Sequence, residues 1–482
     1  MKVNGIIAEY NPFHNGHLYQ LEESRHLTEA DYTIVVMSGD FVQRGAPAML
    51  DKHVRARMAL LGGADLVLEL PVLYALSSAE QFAAGAVALL DRLGVVTHLC
   101  FGSECGDAEA LGQIAGYLLE EPDSYRSHLQ RLLRQGRTYP AARAQALCAA
   151  FGRDWEQILS SPNNILGIDY IKALKKRKSS ILPVTVKRIG AGYHDGAVPL
   201  RPNSLQNGQE APGLRQQGLP DGQGRPAAPS AQPASARAIR QTLQDGQTSE
   251  LLHPYLPAEA ARLMEDCLLH KKSVCPDDLS SILYYKLMMQ RGQGYEKYLD
   301  VSAGLSDRIR NKLGEYTGLE SFCEKLKTKD MTYTRISRCL MHILLDIEKN
   351  HMETALSLDY TPYARMLGFR RSAAPLLCAI KAHSALSLIA KLADAQNILP
   401  ADADRMLRQD IFASDVYQGV LSGRTRLPAR MAVPSSTAES DKISIISLFS
   451  FLRTCPQILC PIDGQKRLPF SQSPSASSED GR

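Results

Sequence analysis

Long apolar runs are missing from this 482-residue chain. No stretch approaches the roughly 20 consecutive apolar residues that a membrane-spanning helix needs, so a membrane partner is excluded. Paired cysteines are missing too. The ten Cys include no Cys-x-x-Cys, and the closest spacings are Cys100/Cys105 and Cys455/Cys460. A structural zinc site wants tighter pairs with His partners, so no metal ligands are assigned. The cysteines read as reduced, mostly buried thiols of a cytoplasmic protein. Charge of one sign is missing as well. A formal net charge of +4 does not announce a nucleic-acid binder, although local basic clusters leave that open. The start lacks the charged-then-apolar order of a signal peptide, because Met1-Lys2 leads straight into Val3. What is present fits a globular protein: 44% apolar and 22% charged residues, in a length that allows two or three domains.

One stretch organises the rest: Glu9-Tyr10-Asn11-Pro12-Phe13-His14-Asn15-Gly16-His17. The apolar run Val3 to Ala8 precedes it and reads as a first strand. Leu18, Leu21 and Arg25 follow at helical spacing. The stretch is therefore a strand-to-helix turn carrying His-x-Gly-His. A helix N-terminus offers unpaired N–H groups and partial positive charge, which suits an anion. Gly16 lets the backbone approach a phosphate closely. His14 and His17 can aim donors at the same phosphoryl oxygens, the equipment for nucleotidyl transfer. Two histidines near a turn are common; the strand before them and the helix after them make the pattern specific.

From residue 1 to about 198, strands and helices alternate. Tyr32 to Met37, Leu66 to Leu70, His98 to Phe101 and Ile181 to Val186 read as strands; Asp51 to Leu61 and Glu80 to Leu93 read as helices. That alternation predicts a parallel sheet covered on both faces, with ligands beyond the carboxyl ends of its strands. Polar, Gly-containing loops fall at those ends: Ser38 to Gly45, Phe101 to Glu104, Ser161 to Gly167 (leading into a helix Ile168 to Leu174) and Lys187 to Asp195. Residues 199–234 are rich in Pro, Gly, Gln and Ala and read as a disordered insert. Ser235-Ala236-Arg237-Ala238-Ile239-Arg240 then opens a helix, its Ser at the N-cap and its two Arg suited to phosphate. From Leu251 the spacing is helical and strand signals are few. Basic charge collects at Lys175 to Lys178, Lys271-Lys272, Arg370-Arg371 and within Leu326 to Arg338, compatible with a surface that tracks phosphates. The end, from about 461, is Ser/Pro-rich and reads as a disordered tail.

Taken together these motifs resemble the tRNA(Met) cytidine acetate ligase family of the HxGH nucleotidyltransferase superfamily. The resemblance rests on EYNPFHNGH at 9–17, SGDFVQRG at 38–45, FGSE at 101–104, PNNILG at 162–167, KRIGAGYHD at 187–195, SARAIR at 235–240, LKTKDMTYTRISR at 326–338 and YARMLGF at 363–369. It implies an α/β fold: a Rossmann-like nucleotidyltransferase domain with a parallel sheet at 1–198, a helix returning to it at 235–250, and an α-helical C-terminal domain for tRNA binding at 251–460. It also implies a two-step ligase. Acetate and ATP give acetyl-adenylate and pyrophosphate; the wobble cytidine of elongator tRNA(Met) then takes the acetyl group as N4-acetylcytidine, releasing AMP. Mg²⁺ would accompany the leaving pyrophosphate. By the same resemblance, His14 and His17 are catalytic. ATP would be bound by Ile7, Ala8, Glu9, Tyr10, Asn11, Pro12, Phe13, His14, Asn15, Gly16, His17, Leu18, Tyr19 and Gln20, and by Gly102, Asn163 or Asn164, Arg188, Ser235 and Arg240. Asp40 and Asp195 are candidates to position the acceptor amine. Two other readings compete: an adenylyltransferase for a phosphorylated small molecule, and an RNA-binding protein with a nucleotide site and no turnover.

Overall fold

The computed structural model describes residues 1–152, 155–188, 234–425 and 443–444. Of the insert read at 199–234, residues 199–233 lie outside the described residues, as do Asp195 and the tail at 461–482, whereas Ala234 is described and is buried in the core. Among the described residues ten strands form: β1 (Val3–Ala8), β2 (Tyr32–Ser38), β3 (Phe41–Val42), β4 (Ala46–Pro47), β5 (Leu66–Leu70), β6 (His98–Ser103), β7 (Leu182–Lys187), β8 (Tyr363–Arg370), β9 (Ser387–Ile389) and β10 (Ile443–Ser444). Except for the small β3–β4 hairpin they make one sheet in the order β10-β8-β5-β2-β1-β6-β7, with β9 beside β8. The strands β5, β2, β1, β6 and β7 run parallel, in register Val3↔Tyr32 and His98↔Leu182 for example. Helices cover both faces, so the central strands have no solvent side. Ile34 to Met37 are fully buried, and that is why they read as one apolar block.

The chain builds outward from β1 to β2 and β5, then returns to add β6 on the other side of β1. Strand order reverses at β1/β6. The crevice beyond the carboxyl ends of these two strands is the switch point where open α/β sheets bind ligands. The Glu9–His14 loop leaves β1 there, and Gly102 lies at the end of β6.

Five strands were not foreseen: the short β3, β4, β9 and β10, and the eight-residue β8. The helical region contributes β8, which pairs antiparallel with β5 (Leu66↔Phe369, Glu69↔Arg365). Its pattern hides because it carries charge inside the sheet. Arg365 is buried and its guanidinium lies 2.9 Å from Glu69 on the neighbouring strand. A second difference concerns Ser161 to Gly167. It is not a loop before a helix; the helix already begins there, as Pro162–Arg177 with Ser161 at the N-cap. Proline at the first helical position loses nothing, since that N–H has no intrahelical partner.

Candidate active site

The Glu9–His14 loop is anchored by its aromatics. Tyr10 and Phe13 are buried in the core with Ile6, Met37, Ala56 and Met58. Tyr10 turns the chain through positive φ (47°). Its ring meets His17 edge-on at 4.8 Å between centroids, and Phe13 lies 5.8 Å from the same imidazole. The side chains of Tyr10 and Phe13 thus support His17, and Leu18 packs against the same core. Asn15 reaches the Pro254 carbonyl at 3.0 Å.

His14 is the N-cap of the first helix, Asn15–Thr28. Its Nδ1 accepts the Gly16 N–H at 3.1 Å, and His17 Nδ1 accepts the His14 N–H at 3.3 Å. The two rings stack, 3.7 Å between centroids and 27° between planes. This reciprocal cap decides the tautomer. With each Nδ1 lone pair used as an acceptor, the proton of each neutral ring sits on Nε2 and is available to donate. Charge state follows from the surroundings. Burial, with Arg188 and Arg240 nearby, lowers the His14 pKa to about 3. Burial, His14 and Arg188 lower that of His17 well below its ordinary value. The pair is a set of neutral donors at the positive end of a helix.

Arginines gather around it. Arg188 follows β7 and donates its backbone N–H to the Ser103 carbonyl at 3.0 Å. A Cβ at Gly102 would lie 3.5 Å from the Arg188 side chain, so the space over Gly102 belongs to that arginine. Arg240 donates to the Asn11 carbonyl. Burial lowers its pKa to about 10, with Glu9 pulling upward and Arg44 and Arg237 pushing down. Glu9 accepts the Gln43 N–H at 2.7 Å, which ties the β3–β4 hairpin, and Arg44 with it, to the loop. The helix Ala236–Gln244 holds Arg237 and Arg240 here by burying Ala238 and Ile239 in the same core. Ser235 accepts the Ala238 N–H at 3.1 Å, a cap that leaves its O–H to donate.

The two asparagines differ. Glu104 caps the Pro162–Arg177 helix, accepting the N–H of Asn163 and Asn164 at 3.4 and 3.0 Å and the Asn163 Nδ2 at 2.6 Å. Asn164 is buried; its Oδ1 accepts two backbone N–H groups (Glu104 and Cys105, 2.9 and 3.2 Å) and its Nδ2 donates to Ile158. Asn163 is half-buried.

The HIGH Nucleotidyl Transferase family matches residues 1–204 and 225–428. A tRNA(Met) cytidine acetate ligase of Acetivibrio thermocellus is 37% identical over 423 residues, covering 86% of this chain and 94% of the relative. The one of Caldanaerobacter subterraneus is 39% identical over 419 residues, covering 86% and 95%. The chain belongs to the tRNA(Met) cytidine acetate ligase family. Its fold is also that of a solved member: Thermotoga maritima TmcAL bound with alpha-thio ATP aligns with a TM-score of 0.76 at 30% identity, covering 90% of this chain and 98% of that one.

Within this family frame, the match skips 205–224, inside the low-complexity insert, and stops at 428, before the tail. Of the residues expected at a ligase nucleotide site, the structure brings together His14, His17, Glu9, Arg188 and Arg240, with Gly102 against Arg188. Ile7 and Ala8 end β1, while Tyr19 and Gln20 lie half-buried along the first helix. Asp40 does not face this group. It is buried against Lys52, 3.4 Å away, and accepts the Lys52 N–H at 3.0 Å. Two residues escaped the sequence reading. Arg44 joins the cluster, and its signal was a cation in a Gly-containing loop at a strand end. Arg55 is fully buried and donates to the carbonyls of Glu9 (2.6 Å), Ser38 (3.1 Å), Leu50 (2.9 Å) and Gly39, pinning the ends of β1 and β2. Its signal was an arginine among the apolar positions of the helix Lys52–Leu61.

Proposed function

We propose that this chain activates acetate with ATP and transfers the acetyl group to the wobble cytidine of elongator tRNA(Met). The observation that carries this is the stacked, reciprocally capped His14/His17 pair inside a ring of arginines. An acetate oxygen attacks the α-phosphorus, and the bond to pyrophosphate breaks. His14 and His17 donate Nε2–H to the α-phosphate oxygens as charge develops there, without having to shed a proton or water first. Arg44, Arg188, Arg237 and Arg240 hold the triphosphate. A Mg²⁺ entering with the triphosphate would be held mainly by the phosphates, with Glu9 the carboxylate of this cluster that would reach it, since this ion is usually held by one or two carboxylates plus phosphates. That ion, when bound, neutralises charge on the leaving pyrophosphate.

In the second step the cytidine N4 amine attacks the acetyl carbon, a C–N bond forms, and AMP leaves with the anhydride oxygen. Asn163, not Asn164, is our choice for the adenosine contact, because both polar atoms of the Asn164 side chain are already bonded to the loop after β6 and to Ile158. A tRNA acceptor puts this work in the cytoplasm.

The experiment is acetate-dependent exchange of labelled pyrophosphate into ATP, followed by assay of N4-acetylcytidine in elongator tRNA(Met). Exchange that needs acetate, and product that needs tRNA, are expected. Exchange driven instead by a phosphorylated small molecule would replace this reading with the adenylyltransferase one.

A further inference from the structure

The helix Tyr333–Leu344 meets the hairpin that carries Arg44 at Gly45. Ser337 donates its hydroxyl to the Gly45 carbonyl at 2.6 Å, and both groups are buried. A Cβ at Gly45 would come within 2.3 Å of the Arg338 backbone nitrogen, and Gly45 has φ of +79°. Only glycine lets the hairpin and the helix approach this closely. Gly45 follows Arg44, so the arginine of the site and the start of this helix share one seam.

Cations continue outward from that seam. Arg335 and Arg338 lie three apart, on one helix face. Arg335 is exposed, and Arg338 has a buried Nε with no hydrogen-bond partner among the described residues. Burial lowers the Arg338 pKa, while Asp300 raises it and Arg335 lowers it further. Ahead of the helix, Lys329 is exposed, and Lys327 pairs with Glu324 at 3.3 Å. Asp330 is the carboxylate of the same loop. The loop is closed on itself, Thr328 and Met331 exchanging hydrogen bonds of 3.2 and 3.1 Å, and Thr332 caps the helix by accepting the Arg335 N–H. Cations on an ordered loop and helix start, next to the hairpin that carries Arg44, suit a polyanion whose reactive group must end at the nucleotide site. A folded acidic protein has no need to reach it.

We infer that Lys329, Arg335 and Arg338 form the track on which the sugar–phosphate backbone of the RNA acceptor lies as it enters the site, with the Gly45–Ser337 seam setting its distance from Arg44. This rests on the acetate ligase reading. The test uses the full chain, an anticodon stem–loop of elongator tRNA(Met) and the variants Lys329→Gln, Arg335→Gln and Arg338→Gln. Two quantities are read: RNA affinity across a KCl series, and acetate-dependent pyrophosphate exchange with no RNA present. Each variant is expected to weaken RNA binding several-fold and to reduce the salt slope by about 0.7 for each phosphate no longer neutralised, with exchange unchanged. Lys329 and Arg335 are exposed, so their variants keep the test open if Arg338→Gln fails to fold. Unaltered affinity and slope in the folded variants would overturn the inference. So would a parallel loss of exchange, which would mean that the hairpin had been disturbed. A wild-type chain that binds the stem–loop through these residues yet shows no acetate-dependent exchange would sink the ligase reading and leave the RNA track standing.

Discussion

At the scale of single residues, the two histidines each do two jobs with two nitrogens. Nδ1 closes the helix cap and Nε2 faces the chemistry. Asparagine separates the jobs, because its Oδ1 can accept the capping N–H while nothing replaces Nε2. His14→Asn and His17→Asn should each lower the acetate-dependent exchange rate by about 10²- to 10³-fold. The melting temperature of His14→Asn should stay close to wild type, whereas His14→Ala should lose about 1 kcal/mol of stability with the cap. Near-wild-type exchange in either asparagine variant would remove the histidines from the mechanism.

Their burial also makes a pH prediction. The His14 pKa is about 3 in the folded chain against 6.5 ordinarily. Between these values the unfolded chain holds more protons than the folded one, so stability falls as pH drops below the ordinary value. His14 alone contributes a slope of about 1.4 kcal/mol per pH unit where the unfolded histidine is fully protonated. Urea midpoints measured across that range should decline less steeply in His14→Asn. Identical slopes would mean that the folded imidazole is not held neutral. The asparagine pair makes a third prediction. Asn163→Ala should raise the KM for ATP with an unchanged melting temperature. Asn164→Ala should unfold early, since it strands the Glu104 and Cys105 N–H groups at about 1 to 3 kcal/mol each.

At the scale of elements, local pattern was a good guide wherever a strand or helix obeyed one period. β1, β2, β5, β6 and β7 all sit within two residues of where apolar runs placed them. The helix from Ala236 begins where its N-cap serine predicted. β8 broke the rule, and its physics explains why. A buried strand that carries Arg365 looks amphipathic in sequence and becomes acceptable only when Glu69 comes to lie beside it. Glu69 is shared, its other oxygen accepting from Lys52 at 2.8 Å. Arg365→Met should therefore cost about 3 to 5 kcal/mol in chemical denaturation, the usual penalty for removing one partner of a buried pair. A loss below about 1 kcal/mol, the range of exposed pairs, would show that the pair is not desolvated.

At the scale of the whole molecule, chain segments far apart in sequence converge on one end of the sheet. The loop after β1, the hairpin after β2, the end of β6, the residue after β7 and a helix beyond the insert all arrive at the same crevice. The family match omits 205–224. Excising those residues should leave acetate-dependent exchange unaltered, since the entropy of closing a loop changes only slowly with its length. Lost exchange in a folded deletion variant would give the insert a role in catalysis.

The sequence alone determined the strand-to-helix turn with His14 and His17, the parallel sheet beneath it and the capped helix carrying Arg237 and Arg240. These depend on local backbone preference and apolar periodicity, which neighbouring residues carry among themselves. Only the tertiary structure decided that Arg44 joins the cluster, that Arg55 staples two strand ends, that the Asn164 side chain is spent on the loop after β6 while Asn163 is half-buried, and that Asp40 turns away to Lys52. Charged and amide side chains take their roles from whichever partner lies within about 3 Å, and at that range the partner is chosen by the fold rather than by the chain.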